Sequence, residues 1–372
     1  MRDAASSLFL RRERFSSMTA SNKGSVRYLF ASISAQPDNL GDVEIRRLAL
    51  KLLTSKHPKQ ILYVGAMPQG YLGLFERQKD RKFVSSKCSY LAQLLRRIAR
   101  RRADLLFAPG PVLLELSART VAKSLVMCTL ALAVRLGGGE VVALGRSLRG
   151  DSKIAATLER LLCSISTTYT LRDEISARFL TKPVSVLPDL ALASTPILDE
   201  GSRNSILLSF RYDRSPDLRL LTGIVQRFRG EGKTIIFASQ VRRDDDQHEK
   251  LASYFACESL LWGSRNYAEQ YLNLLSAYAG ADVVFTDRLH VAILSAARGA
   301  LPYELSSVHT DKIQSTAGIW FDVPVIRNLE DVESIGTSGD RAKSRLKQFD
   351  ALTEASRLLA KASESYGAPI ST

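Results

Sequence analysis

The chain has 372 residues, enough for two domains at about 100–200 residues each. With 45% hydrophobic and 24% charged residues it is neither an intrinsically disordered chain nor a collagen-like fibre. Lys and Arg outnumber Asp and Glu by 52 to 38, and the formal charge of +14 points to an anionic partner or a heavily solvated face.

No apolar run reaches the ~18 residues of a bilayer span; the longest, Leu125 to Val134, stops at Arg135. Residues 1–24 are polar and basic without a period and are expected to form a mobile tail. The apolar stretch there, Leu8 to Leu10, is too short for a secretory signal, so a cytoplasmic location is expected. Cys88, Cys128, Cys163 and Cys257 form no CxxC pair, which fits a reducing compartment. The four histidines are equally scattered, and no dedicated metal site is expected.

The ordered chain opens with a strand at Val26–Ser34, the loop AQPDNLGD, and a helix from Asp42. A short strand, Ile61–Gly65, leads into a basic stretch. Arg77 to Arg102 holds ten basic residues against one acid, Asp80. Within it, LAQLLRRIARRRADLL spaces its leucines for an amphipathic helix suited to an anionic membrane, a polyanion or plain solvent. Strands ADLLFAPG, EVVALG and TTYTL then alternate with helices TVAKSLVMCTLALAVRL, KIAATLERLLCSI and RDEISARFLTK, and SVLPDLALA closes the half. After the linker LDEGSRN the pattern restarts with strands SILLSFR, KTIIFASQ, ADVVFTD and LPYELS between helices, and ends on a helix from about Arg341 to Ser363. Strands alternating with helices of 10–15 residues mark βαβ units. The expected architecture is α/β: two Rossmann-like, doubly wound domains facing a cleft. Their bounds are 25–198 and 199–335, with a C-terminal helix and tail over 336–372.

In parallel sheets ligands bind beyond the carboxyl ends of the strands. The first polar residues there are Asp38–Asp42, Arg172, Arg211, Gln240, Asp287, Arg288 and His290. Arginines at such positions suit a phosphate or carboxylate. Arg172 has an alternative, as a surface charge paired with Asp173 or Glu174. In TDRLHVAILSAARGALP, Asp287 is expected to cap the helix, with Arg288 and His290 in its first turn. A cationic pair at a helix N-terminus opposes the macrodipole, which argues for a functional role.

These residues resemble the polysaccharide pyruvyl transferase family. The matching pieces are NLGDVEI, LRDEIS, LPDLAL, SFR and DRLHVAILSAARGALPYELSSVHTDKI, together spanning Asn39 to Lys312. The resemblance implies a GT-B-like fold and transfer of the enolpyruvyl unit of phosphoenolpyruvate to two sugar hydroxyls as a ketal. It places the donor on Arg172, Arg288, Leu289 and His290, and puts Gly41 and Asp42 beside the cleft. It also matches Lys312 to the family's lysine after the last strand; Lys312, Asn39 and Arg211 complete the expected binding set. The sequence departs from the family pattern at APGPVLLE and at ALGRSLRG, in the half expected to contact the acceptor.

The expected chemistry is proton delivery to the enol methylene, with His290 as general acid or base and Asp42 as either a base or a helix cap. No cofactor or metal is expected. Expected partners are phosphoenolpyruvate and a sugar or lipid-linked oligosaccharide acceptor, with peripheral contact to an anionic membrane through 77–102 and no nucleic acid. The competing readings are a GT-B glycosyltransferase using a nucleotide sugar and a non-catalytic polyanion-binding protein.

Overall fold

The computed structural model describes residues 26–75, 80–194, 196–197, 201–305 and 311–365. The tail expected at 1–24, the start of the basic run at 77–79 and the linker's first residues, 198–200, lie outside the described residues.

The first sheet holds β1 (Tyr28–Ser32), β2 (Lys59–Tyr63), β3 (Arg81–Val84), β4 (Ala103–Phe107), β5 (Gly110–Leu114), β6 (Val141–Gly150) and β7 (Thr168–Leu171). Its order is β3-β2-β1-β4-β6-β5, with β7 also on β6. The second holds β8 (Ser205–Ser209), β9 (Thr234–Ala238), β10 (Glu258–Leu260), β11 (Ala281–Thr286) and β12 (Leu301–Glu304), in the order β10-β9-β8-β11-β12. Every named pairing is parallel, with Phe30 against Ile61 and Leu105, and Leu208 against Phe285. Strand order reverses beside β1 and beside β8, so each sheet has a switch point.

The helices are α1 (Leu40–Leu53), α2 (Gln69–Gly73), α3 (Lys87–Ala99), α4 (Ala118–Leu136), α5 (Lys153–Ile165), α6 (Glu174–Ala177), α7 (Leu218–Gly230), α8 (Asp245–Tyr254), α9 (Tyr267–Gly280), α10 (Leu289–Ala296), α11 (Leu329–Ser334) and α12 (Ser338–Ser365). Period-2 burial on the first sheet separates two layers. Phe30, Leu105 and Ala143 pack under α3, α4 and α5, while Leu29, Leu106 and Val142 face the α1 side. That second layer continues into Leu207, Val284 and α10, so both halves share one apolar core. Helix α12 returns to this core, burying Leu352, Ala355 and Leu359, and packs on the turn Leu190–Ala193.

Three expectations need correction. Strands β3, β5 and β10 escaped the sequence reading because RKFV and ESL are polar edge segments and β5 opens on Gly-Pro. The helix expected over RDEISARFLTK is the four-residue α6. The basic run divides into β3 and α3, and the amphipathic segment LAQLLRRIARRRADLL is helical only to Ala99, where α3 ends, with its ADLL in β4.

Candidate active site

The loop after β1 enters α1 through Asn39, whose side chain accepts a hydrogen bond from the Gly41 amide at 3.2 Å. Asn39 is therefore the cap, and Asp42 stands in the first turn with its carboxylate uncommitted to capping. Gly41 lies against the start of α10. A Cβ built on it would fall 2.3 Å from His290 Nδ1 and 2.5 Å from His290 Cβ, so the glycine makes room for the imidazole.

Strand β11 delivers the Arg-Leu-His triplet. Asp287, expected to cap α10, does not; Arg288 occupies the N-cap position. The Asp287 carboxylate instead accepts the Arg211 amide at 2.9 Å and faces Arg214 at 3.8 Å. Burial pushes its pKa up to about 6. In α10 every residue except His290 is buried, and Leu289 belongs to the core that both sheets share. Burial lowers the His290 pKa below its ordinary value; Asp189 and Asp42 oppose that shift, Arg172 and Lys312 add to it. The ring is therefore neutral near pH 7.

Arg172 at the end of β7 is 2% exposed, which removes the surface-charge alternative. Its Nη1 donates to Asp189 Oδ2 at 2.9 Å. The other Asp189 oxygen lies 3.9 Å from His290 Nε2 and accepts the Ala191 amide at 3.0 Å. Burial alone would raise the Asp189 pKa, but Arg172 and His290 hold it below the usual carboxylate range. One buried carboxylate thus sits between two of the nominated residues.

Arg288 is oriented by Asp244, which accepts its Nη2 at 2.5 Å and the Tyr212 amide at 3.0 Å on the same oxygen. Among the described residues, Arg172 Nε, Arg288 Nε and His290 Nε2 are buried with no hydrogen-bond partner in the protein. The two guanidinium donors suit an anionic ligand. Arg211 is turned to Asp213, with Nε and Nη2 at 2.8 and 2.5 Å from its carboxylate. Lys312 opens onto the cleft. Loss of surrounding water, reinforced by Arg172, Arg211 and Arg288 against Asp42, lowers its pKa to about 8.

Beside Arg172 and Lys312 lies a cavity of about 360 Å³, also lined by Ser147, Arg149 and Arg178. Gly145, at φ +56°, and a register shift between Ala143 and Arg146 bend β6 here. The bend turns Arg146 inward to a buried pair with Glu159 at 2.6 Å, and Arg149 reaches Asp173 at 3.0 Å on the cavity wall. The structure therefore gathers Gly41, Asp42, Arg172, Arg288, His290 and Lys312, with Arg211 at the edge. Asn39 is occupied as a cap and Leu289 as core. Sequence reasoning missed Asp189, Asp244, Arg149 and Arg178. Only Asp189 carried a signal, the Pro-Asp near the start of LPDLAL.

The sequence model described as polysaccharide pyruvyl transferase matches residues 39–299. No curated protein matches the chain significantly. Among solved structures, the UDP-GlcNAc 2-epimerase from Neisseria meningitidis, solved bound to UDP-GlcNAc, is similar at 12% identity and a TM-score of 0.55, over 90% of this chain and 98% of that one. A UDP-N-acetylglucosamine 2-epimerase at 14% identity has a TM-score of 0.52, covering 91% and 95%. At such identities the likeness shows the fold, a GT-B-like pair of Rossmann-type domains with a C-terminal helix.

Proposed function

The chain belongs to the polysaccharide pyruvyl transferase family, and from that premise we propose that it transfers the enolpyruvyl unit of phosphoenolpyruvate to two hydroxyls of a sugar acceptor, forming a ketal and releasing phosphate. The observation that carries this reading is the gathering of Asp42, Arg172 and Lys312 around His290, with Arg288 acting on Lys312, contributed by both halves of the chain. Phosphoenolpyruvate carries a phosphate and a carboxylate on three carbons and needs several cations at once.

His290 takes the proton of the first acceptor hydroxyl and delivers it to the methylene carbon, which becomes the methyl group. The hydroxyl oxygen bonds to the neighbouring carbon, whose positive charge the donor carboxylate stabilises. The bond to the phosphate oxygen then breaks, with Arg288 and Arg172 stabilising the charge that builds on the departing group. The second hydroxyl closes the ketal, and its proton passes through Asp42 to the phosphate. Two hydroxyl protons are thus consumed, one on carbon and one on phosphate. No electrons are transferred, and the reading includes no cofactor.

Incubation with phosphoenolpyruvate and a glycan acceptor tests it. Acceptor-dependent phosphate release supports ketal transfer. Nucleotide release from a nucleotide sugar supports a glycosyltransferase instead, and silence with both supports polyanion binding.

A further inference from the structure

Helices α3, α4 and α5 lie side by side over one face of the first sheet, joined through Leu94, Cys128, Ala131, Val134, Ala155 and Leu162. Cys128 Sγ touches the Leu158 carbonyl at 3.4 Å, and Gly137 at the end of α4 meets Ile98 of α3. Their inward sides therefore account for the core, and their outward sides form one continuous surface.

That surface is apolar where a solvated helix face would be polar. On α4 the outward stripe is Leu125, Val126, Leu132 and Leu136, each about half exposed or more, with Leu136 at 78%. Helix α3 adds Leu91 and Leu95, and α5 adds Ile154 and Leu161. Single exposed apolar residues are ordinary; eight large ones on three adjacent helices are not.

The charge on the same face has one sign. Lys87 and Arg96 on α3, Arg119, Lys123 and Arg135 on α4, and Lys153 on α5 are all exposed. Neither α3 nor α4 contains an acid, and the one acid of α5, Glu159, is buried against Arg146. The exposed acids nearest in sequence, Glu115 and Asp151, lie in the loops leading into α4 and α5. A second copy of this chain would bring these cations against one another with no acid between them. An anionic lipid surface takes both features: headgroups meet the bases while the leucines enter the acyl boundary. No helix among the described residues is long and apolar enough to cross a membrane, so contact through this face is interfacial.

We propose that the α3–α4–α5 face docks the protein on anionic bilayers. The inference is independent of the donor reading, since it uses none of the cleft residues. The test is co-sedimentation of the full chain with phosphatidylcholine vesicles, with and without phosphatidylglycerol, at low and high salt. The expected result is binding to the anionic vesicles at low salt, weakened at least about tenfold by salt or by omitting the anionic lipid. Leu125→Glu with Leu132→Glu, on the outer stripe, removes binding while circular dichroism and the melting temperature stay unchanged. Lys123→Glu with Arg135→Glu, which leaves the apolar residues in place, does the same. Absence of wild-type binding to anionic vesicles, or unchanged binding by both double variants, overturns the proposal. So does a wild-type dimer that the leucine variant converts to monomer, because the face then belongs to a second copy.

Discussion

Gly41 and His290 occupy one small space: the helix that starts after β1 and the helix that starts after β11 touch there, and a methyl group on the glycine would overlap the imidazole. In the first turn of a helix alanine is otherwise the better residue, by about 0.5–1 kcal/mol. Gly41→Ala therefore separates two effects. The clash moves the ring, and turnover falls at least about tenfold while stability drops by about 1–3 kcal/mol, the ordinary cost of overpacking. A Gly41→Ala protein with wild-type turnover and a raised melting temperature would show that His290 does not depend on this contact.

Asp189 couples Arg172 to His290. Asp189→Asn leaves the Arg172 guanidinium buried without its counter-charge, which costs about 3–5 kcal/mol for a broken buried pair. The loss also removes a charge that favours protonated His290. Urea unfolding reads the first effect and the pH profile of turnover reads the second. A change in stability under about 1 kcal/mol contradicts the buried-pair account.

Much of this was legible before the structure. Parallel βαβ units announce themselves through short apolar strands and amphipathic helices, and the strand-end rule picked out Arg172, Arg288 and His290 without contact information. What stayed hidden has physical reasons. Which carboxylate orients each cation depends on long-range packing: Asp244 reaches Arg288 across 44 residues, and Asp189 lies in a turn with no periodic signal. Asp287 was misread because a cap and an acceptor of the Arg211 amide look alike in sequence. Arg149 faces the cavity through a bend in β6 that a single glycine produces. The outward leucines of α4 were visible only as an apolar run, because periodicity does not reveal which side a neighbouring helix will cover.

Arg288 is held by Asp244 and keeps a second donor, Nε, without a protein partner. Lysine offers one charge where arginine offers a planar fork. Arg288→Lys is expected to lower kcat/KM for the donor by about 10–100-fold, the worth of one charged hydrogen bond. Unchanged donor kinetics would remove Arg288 from the donor site.

Lys312 gives a pH signature. With a pKa of about 8, it is charged below that pH and attracts an anionic donor, then loses its charge as pH rises. In the free enzyme, donor kcat/KM should fall above pH 8, and Lys312→Arg should carry the limb beyond pH 10 or so, since arginine stays charged. If the limb stays at 8 in Lys312→Arg, another group is titrating.

His290 carries the decisive prediction. Its folded pKa lies below 6.5 because burial outweighs Asp189 and Asp42, so the resting ring is neutral and ready to accept a proton. Acid must therefore stop the reaction from below: turnover holds through neutrality and declines only under pH 6.5, where protonation removes the base. His290→Gln and His290→Ala should lose turnover by about 10²–10⁴-fold, the usual contribution of a positioned acid–base group. Donor affinity, carried by Arg172, Arg288 and Lys312, should stay within a few-fold. A residue that only hydrogen-bonds the donor phosphate behaves differently, because affinity and rate then fall together. Donor binding by calorimetry and single-turnover rates across pH, measured on both variants, distinguish the two cases. Wild-type turnover in either variant, or an acid limb that survives in His290→Gln, assigns the proton transfer to another group, with Asp42 first in line.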